Sequence, residues 1–174
     1  MRLARVSIFS LAVAFAALAG CDKFRRPELV LPTSSEAEAA FNDYPDVTGV
    51  RLSGNVVEIV VEQPVDHVQR GGSLWARFGP YTHLFSPASQ ALFTAYNGIA
   101  ALRVITQLPN GTEIARATLH RDSVTLNVWR RGEAMLASAL SEGTTRPSLV
   151  EQFVHWAEGV TEYEYNPRYV TNSR

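Results

Sequence analysis

The sequence predicts an α+β domain, an antiparallel sheet of about four strands packed against some three helices. Three observations carry this. Two pairs of β-rich runs each flank a cluster of turn residues, Ser53-Gly54-Asn55 and Pro109-Asn110-Gly111, which reads as two hairpins. Between them lies a segment with a strong helix start, Ser86-Pro87, and after them come two more apolar stripes at helical spacing. Hairpins followed by helices build a sheet covered on one face.

In order along the chain, Ser35 with Glu38 three residues later predicts a capping box and a short helix through Phe41, ended before Pro45. Val47–Leu52 and Val56–Val61 form the first hairpin, which Pro64 ends. Residues 65–85 resist assignment. Gly71-Gly72 breaks any helix, so Trp75, Phe78, Tyr81, His83 and Phe85 are expected on a connecting segment running over the surface. Ser86 as N-cap and Pro87 at the first helical position open a helix that Asn97-Gly98 closes. Ile99–Gln107 and Thr112–Leu119 make the second hairpin. A helix is expected from Asp122 to about Leu140, although Gly132 weakens it. Ser148 and Glu151 suggest a second capping box, opening a helix striped by Leu149, Phe153, Trp156, Ala157 and Val160. The stripe predicts that truncating Trp156 destabilises the domain. Residues 163–174 are expected as a tail, either a short strand or an extended arm.

The leader is the most specific part of the chain. Arg2 and Arg5 are followed by an uncharged, apolar run from Val6 to Leu18, the length of an export-signal core and too short to span a bilayer. It ends in Leu18-Ala19-Gly20-Cys21. This resembles the lipobox of bacterial lipoproteins. The resemblance implies a diacylglyceryl group on the Cys21 sulfur, cleavage after Gly20 and an extracytoplasmic address. It divides the chain into a signal peptide (1–20), a lipid-anchored tether (21–33), a domain (34–162) and the tail. Asp22 resembles the signal that retains some lipoproteins in the inner membrane, which favours the outer face of the cytoplasmic membrane. Lys23, Arg25 and Arg26 follow at once and suit an anionic headgroup surface.

Composition excludes several classes of function. Without residues 1–20, which include Arg2 and Arg5, the remaining 154 residues hold 14 cations against 17 carboxylates, a net charge of −3. That is no footprint for nucleic acid. Cys21 is the only cysteine, so no intrachain disulfide, thiolate metal site or catalytic thiol is expected. Nucleophile elbows, phosphate loops and dinucleotide fingerprints are lacking, and Gly71-Gly72-Ser73 has no Gly-Lys-Ser/Thr ending. His155 and Glu158 stand at i and i+3, a spacing used by di-metal sites that need two copies; one copy is present, and no metal or cofactor is expected. Tyr81 and His83 suggest an acid/base pair, but no third group fixes the imidazole tautomer. Glu142, Glu151, Glu158, Glu162 and Glu164 read as solvated charges.

Two features remain as candidate partner-binding sites. Trp75, Phe78, Tyr81 and Phe85 are either core or a recognition surface, and Tyr163, Tyr165 and Tyr169 pose the same choice. The expectation is a lipid-anchored envelope protein, a non-enzymatic accessory subunit of a membrane-associated assembly with a protein partner. The alternative is a binding module for a small apolar or lipidic ligand. An enzyme ranks behind both.

Overall fold

The computed structural model describes residues 28–170. Cys21, Asp22 and the basic run lie outside them. Helix α1 (Ser34–Ala39) is followed by strands β1 (Val47–Ser53) and β2 (Val56–Glu62) and helices α2 (Val65–Leu84) and α3 (Pro87–Ala95). Strands β3 (Ala101–Gln107) and β4 (Glu113–His120), helices α4 (Leu126–Glu142) and α5 (Pro147–Glu158), and strand β5 (Glu162–Tyr165) complete the domain.

The class is α+β, with five strands rather than four and a mixed sheet rather than an antiparallel one. Strand order is β1-β2-β3-β4-β5. Both hairpins form, with Gly54 and Gly111 at positive φ in their turns. The hairpins join in parallel, Val56 opposite Ala101 through Glu62 opposite Gln107. The cause is the connection: α2 and α3 carry the chain back to the end where β2 began, so β3 runs beside β2 in the same direction. The fifth strand comes from the expected tail, since β5 pairs antiparallel with β4 from Ala115–Tyr165 to Thr118–Glu162.

Residues 65–85 are the largest correction. Gly72 does break the helix, with a φ of 61° and ψ of −156° that only glycine adopts readily, but helix forms on both sides of it, so α2 is two helical segments joined across a kink. Pro80 sits inside the second segment. Trp75, Phe78, Tyr81 and Phe85 recur at intervals of three and four, a helical stripe, and the stripe faces inward. Phe78, Tyr81 and Phe85 are buried in the main core, and Trp75 is partly buried against it. The surface-segment reading of these rings fails because a helix, unlike a loop, can bury its backbone and its rings together.

Smaller shifts follow from local chemistry. The first capping box is Thr33 with Glu36: Thr33 Oγ1 accepts from the Glu36 amide at 3.2 Å and Glu36 Oε2 from the Thr33 amide at 2.8 Å. Helix α5 starts on Pro147 without a side-chain cap, because the proline ring already fixes helical φ at the first position. Ser86 caps α3 as expected. Helix α4 starts at Leu126, after a 3-10 turn at Arg121–Ser123, with Thr125 as its cap.

Gly132 of α4 is a packing requirement. A Cβ there would lie 2.5 Å from Cδ1 of Phe85 and 3.0 Å from Cη2 of Trp156. Gly132→Ala should therefore destabilise the domain by about 1–3 kcal/mol, despite its better helix propensity. A thermal melt showing equal or raised stability would contradict this packing. On α5 the buried positions are Val150, Phe153, Val154 and Ala157. Trp156 stands at the margin, partly buried, its ring 5.0 Å from Phe85 and under the Arg131 guanidinium.

The sheet turns Val57, Ile59, Leu102, Val104, Ala117 and Leu119 toward the helices. On the opposite face a row in register crosses the strands, Arg51, Glu58, Arg103, Thr118 and Glu162. Glu58 is buried between the two arginines, Arg51 Nε at 2.5 Å and Arg103 Nη1 at 3.0 Å. Burial opposes its charge, but these bonds outweigh it and hold its carboxyl below the usual range.

Candidate functional site

The C-terminal end of β2 and the middle of α2 enclose a cleft of about 300 Å³. Its walls are mainly apolar, from Val61, Val68, Trp75, Phe78 and Leu140. Trp75 stands edge-on to Phe78, ring centroids 5.3 Å apart. Its charged and polar side chains are Asp46, Glu62, Gln63 and Thr82. The fold brings them together because Asp46 leads into β1, Gln63 follows β2, and Thr82 lies on the last turns of α2.

Behind the cleft these groups form a carboxylate–imidazole–hydroxyl chain. His83, 4% exposed, has Nε2 3.3 Å from Asp46 Oδ1 and Nδ1 2.8 Å from Thr82 Oγ1. The hydrogen bond from His83 holds the Asp46 carboxyl below the usual carboxylate range, against the opposing effect of burial. Asp46 is thus the third group that the sequence did not nominate, 37 residues upstream. Thr82 Oγ1 also donates to the Gly79 carbonyl at 2.7 Å. With its one proton there, the hydroxyl is left to accept from Nδ1–H, while Nε2 faces the Asp46 carboxylate. This chemistry suits charge and hydrogen-bond recognition better than nucleophilic attack, since the Thr82 proton is directed away from the base. Tyr81 and His83 do not pair: the Tyr81 hydroxyl points to Tyr165 at 2.7 Å.

Gln63 packs against Gly79, where a Cβ would fall 1.8 Å from Gln63 Nε2. Its Oε1 is buried without a hydrogen-bond partner among the described residues. The carboxylates of Asp46 and Glu62 both line the cleft, so its polar part favours a donor.

A second polar cluster ties α2, α5 and β5. Glu158 Oε1 accepts from Arg77 Nε at 2.9 Å, Arg77 Nη2 at 2.6 Å and the Tyr165 hydroxyl at 2.8 Å. Glu158 is no solvated helix charge. It follows Val154 by four residues and shares its inward side, a signal that was available in the sequence. Its expected partner His155 points to solvent. Burial raises the hydroxyl pKa of both Tyr81 and Tyr165, and their proximity raises that of Tyr165 further. Because the folded values exceed the unfolded one, stability is complete below pH about 10 and is lost as pH rises above it, by about 1.4 kcal/mol per pH unit for each tyrosine. Urea denaturation at pH 9 and pH 11 should show this fall, and Tyr165→Phe should reduce its slope.

The other tail tyrosines are not on an arm. Tyr163 is 49% exposed on β5 with its ring 4.9 Å from that of Tyr165. Tyr169 is half-buried, its carbonyl accepting from Ser73 Oγ at 3.3 Å. Among the described residues no three His, Cys, Asp or Glu side chains group as metal ligands, and no helix is long and apolar enough to cross a membrane.

No family model, curated protein or solved structure matches this chain.

Proposed function

We propose that the chain is a lipid-anchored envelope protein that acts by binding, and that the cleft holds a small ligand with an apolar body and a cationic or N–H-donating head. The observation that carries this is the cleft itself. Its mainly apolar walls carry few polar groups, the usual makeup of a small-molecule site, and two of these are the carboxylates of Asp46 and Glu62. The ligand body would lie against Trp75, Phe78 and Leu140, and its head would meet Asp46 and Glu62. His83, buried behind Asp46, positions the carboxylate.

Calorimetric titration with a series of arylalkyl amines and their isosteric carboxylates tests this. Some amine should bind in the micromolar range, and Asp46→Asn should weaken it at least tenfold, about 1.4 kcal/mol, with the fold unchanged by circular dichroism. Carboxylates binding as well as amines, or neither series binding, would refute the ligand class.

The anchor is tested separately. Cys21→Ala should leave an uncleaved precursor without a diacylglyceryl group, read by mass spectrometry, and mature lipid-bearing protein from that variant would sink the assignment. Asp22 places the anchor on the outer face of the cytoplasmic membrane; fractionation wholly with an outer membrane would refute that placement. A second reading, docking onto an envelope assembly as an accessory subunit, is favoured by Tyr163, which stands half exposed on the edge strand β5. It predicts that Tyr163→Ser abolishes co-purification of a protein partner while amine binding persists.

A further inference from the structure

The later part of the expected tether, residues 28–31, is fastened to the domain with its apolar side chains exposed. Leu29, Val30 and Leu31 are 73%, 50% and 41% exposed. The Val30 amide donates to Asn97 Oδ1 at 2.7 Å, Asn97 Nδ2 donates to the Glu28 carbonyl at 3.1 Å, and the Gly98 amide donates to the Val30 carbonyl at 2.8 Å. The strap lies so close that a Cβ on Gly98 would fall 2.7 Å from the Val30 oxygen. Three consecutive exposed apolar residues in a fixed place are a cost in water unless something covers them.

We propose that a lipid surface covers them: the domain rests on the bilayer through this strap, with the cleft held at the far end. The inference rests on the lipid-anchor reading. From Cys21 to Glu28 the chain can reach at most about 25 Å, so an anchored Cys21 keeps the strap close to the membrane. Lys23, Arg25 and Arg26 fall in that interval and complement anionic headgroups at about 1 kcal/mol each. Leu126, 59% exposed, opens α4 five residues after Arg121. Arg121 donates to the carbonyls of Phe93, Tyr96 and Ile99 at this same end of the sheet.

The orientation has a consequence for the ligand. The strap meets the end of the sheet where Ala100 bonds the Asn55 carbonyl, just before β2 begins. The cleft sits where β2 ends, six residue steps away, or about 20 Å. A ligand would therefore arrive from the aqueous side and not from the anchoring bilayer.

Cys21 is the only cysteine and its sulfur would carry the lipid, so an introduced cysteine gives a unique label. Lipidated full-length protein, with a fluorophore on Leu31→Cys or on Glu62→Cys, would be reconstituted into phosphatidylglycerol-containing vesicles with brominated acyl chains. Quenching should be strong at the first position and near background at the second. Adding Leu29→Ser and Val30→Ser should cut quenching at the first position at least threefold. Equal quenching at both positions, none at either, or no effect of the serines would overturn the orientation. Mass analysis of the N-terminal peptide separates the two failures: lipid absent from Cys21 removes the anchor and this inference together, whereas lipid present with an unquenched strap removes the inference alone.

Discussion

Phe153→Ala should cost the domain about 3–5 kcal/mol, a large fraction of the roughly 5–15 kcal/mol that holds a typical domain folded. Phe153 is fully buried at the centre of a ring cluster. Its centroid lies 5.7 Å from Phe78, 6.3 Å from Tyr81 and 5.9 Å from Phe85, each near-perpendicular, and 6.1 Å from Trp156, nearly parallel. Removing it opens a cavity between α2 and α5 that rigid neighbours cannot fill. Phe153→Leu keeps most of the volume and should cost under about 1.5 kcal/mol. Equilibrium urea unfolding measures both, and an alanine variant that loses less than about 1 kcal/mol would show that the cluster does not hold α5 to α2. Trp156→Ala should cost less than Phe153→Ala, because its ring is only partly buried.

What the sequence made legible was local. Both hairpins, the Ser86-Pro87 cap and the amphipathic stripe of α5 are signals carried within a few residues, and each appears in the structure. The parallel junction of β2 with β3 was not legible, because it depends on where the connection of residues 63–100 returns the chain. The rings of α2 were misplaced for a specific reason. Gly72 does interrupt the helix, but a new helical segment starts after it, and tertiary packing of Phe78, Tyr81 and Phe85 outweighs the local cost of about 3 kcal/mol for Pro80 inside that segment. The site shows the same division. The sequence pairs His83 with Tyr81 and offers no orienting acid; its actual partners are Thr82 and Asp46, and Asp46 reaches it only through the turn into β1. Glu158 was taken for a surface charge, although its place four residues after Val154 put it on the buried side.

Glu158 is where that correction has its largest measurable effect. Glu158→Ala should destabilise the domain by about 2–3 kcal/mol, at or below the lower end of the range for breaking a buried ion pair, because Arg77 retains a third of its side-chain exposure and can recover some hydration. One carboxylate oxygen accepts all three bonds from Arg77 and Tyr165. Its loss strands the guanidinium at the α2 surface and leaves the Tyr165 hydroxyl with Tyr81 alone. Glu158→Gln, which keeps an oxygen acceptor but no charge, should cost about half as much. The double variant Arg77→Leu, Glu158→Leu should recover most of the loss, since no uncompensated charge remains. The effect should also be local: β5 is held to the sheet by only four residue pairs, so its amide hydrogen exchange should accelerate while that of β2 and β3 stays slow. A double-mutant cycle between Arg77 and Glu158 reading under about 0.5 kcal/mol, with β5 exchange unchanged, would show that this cluster fills space without tying the edge strand to the helices.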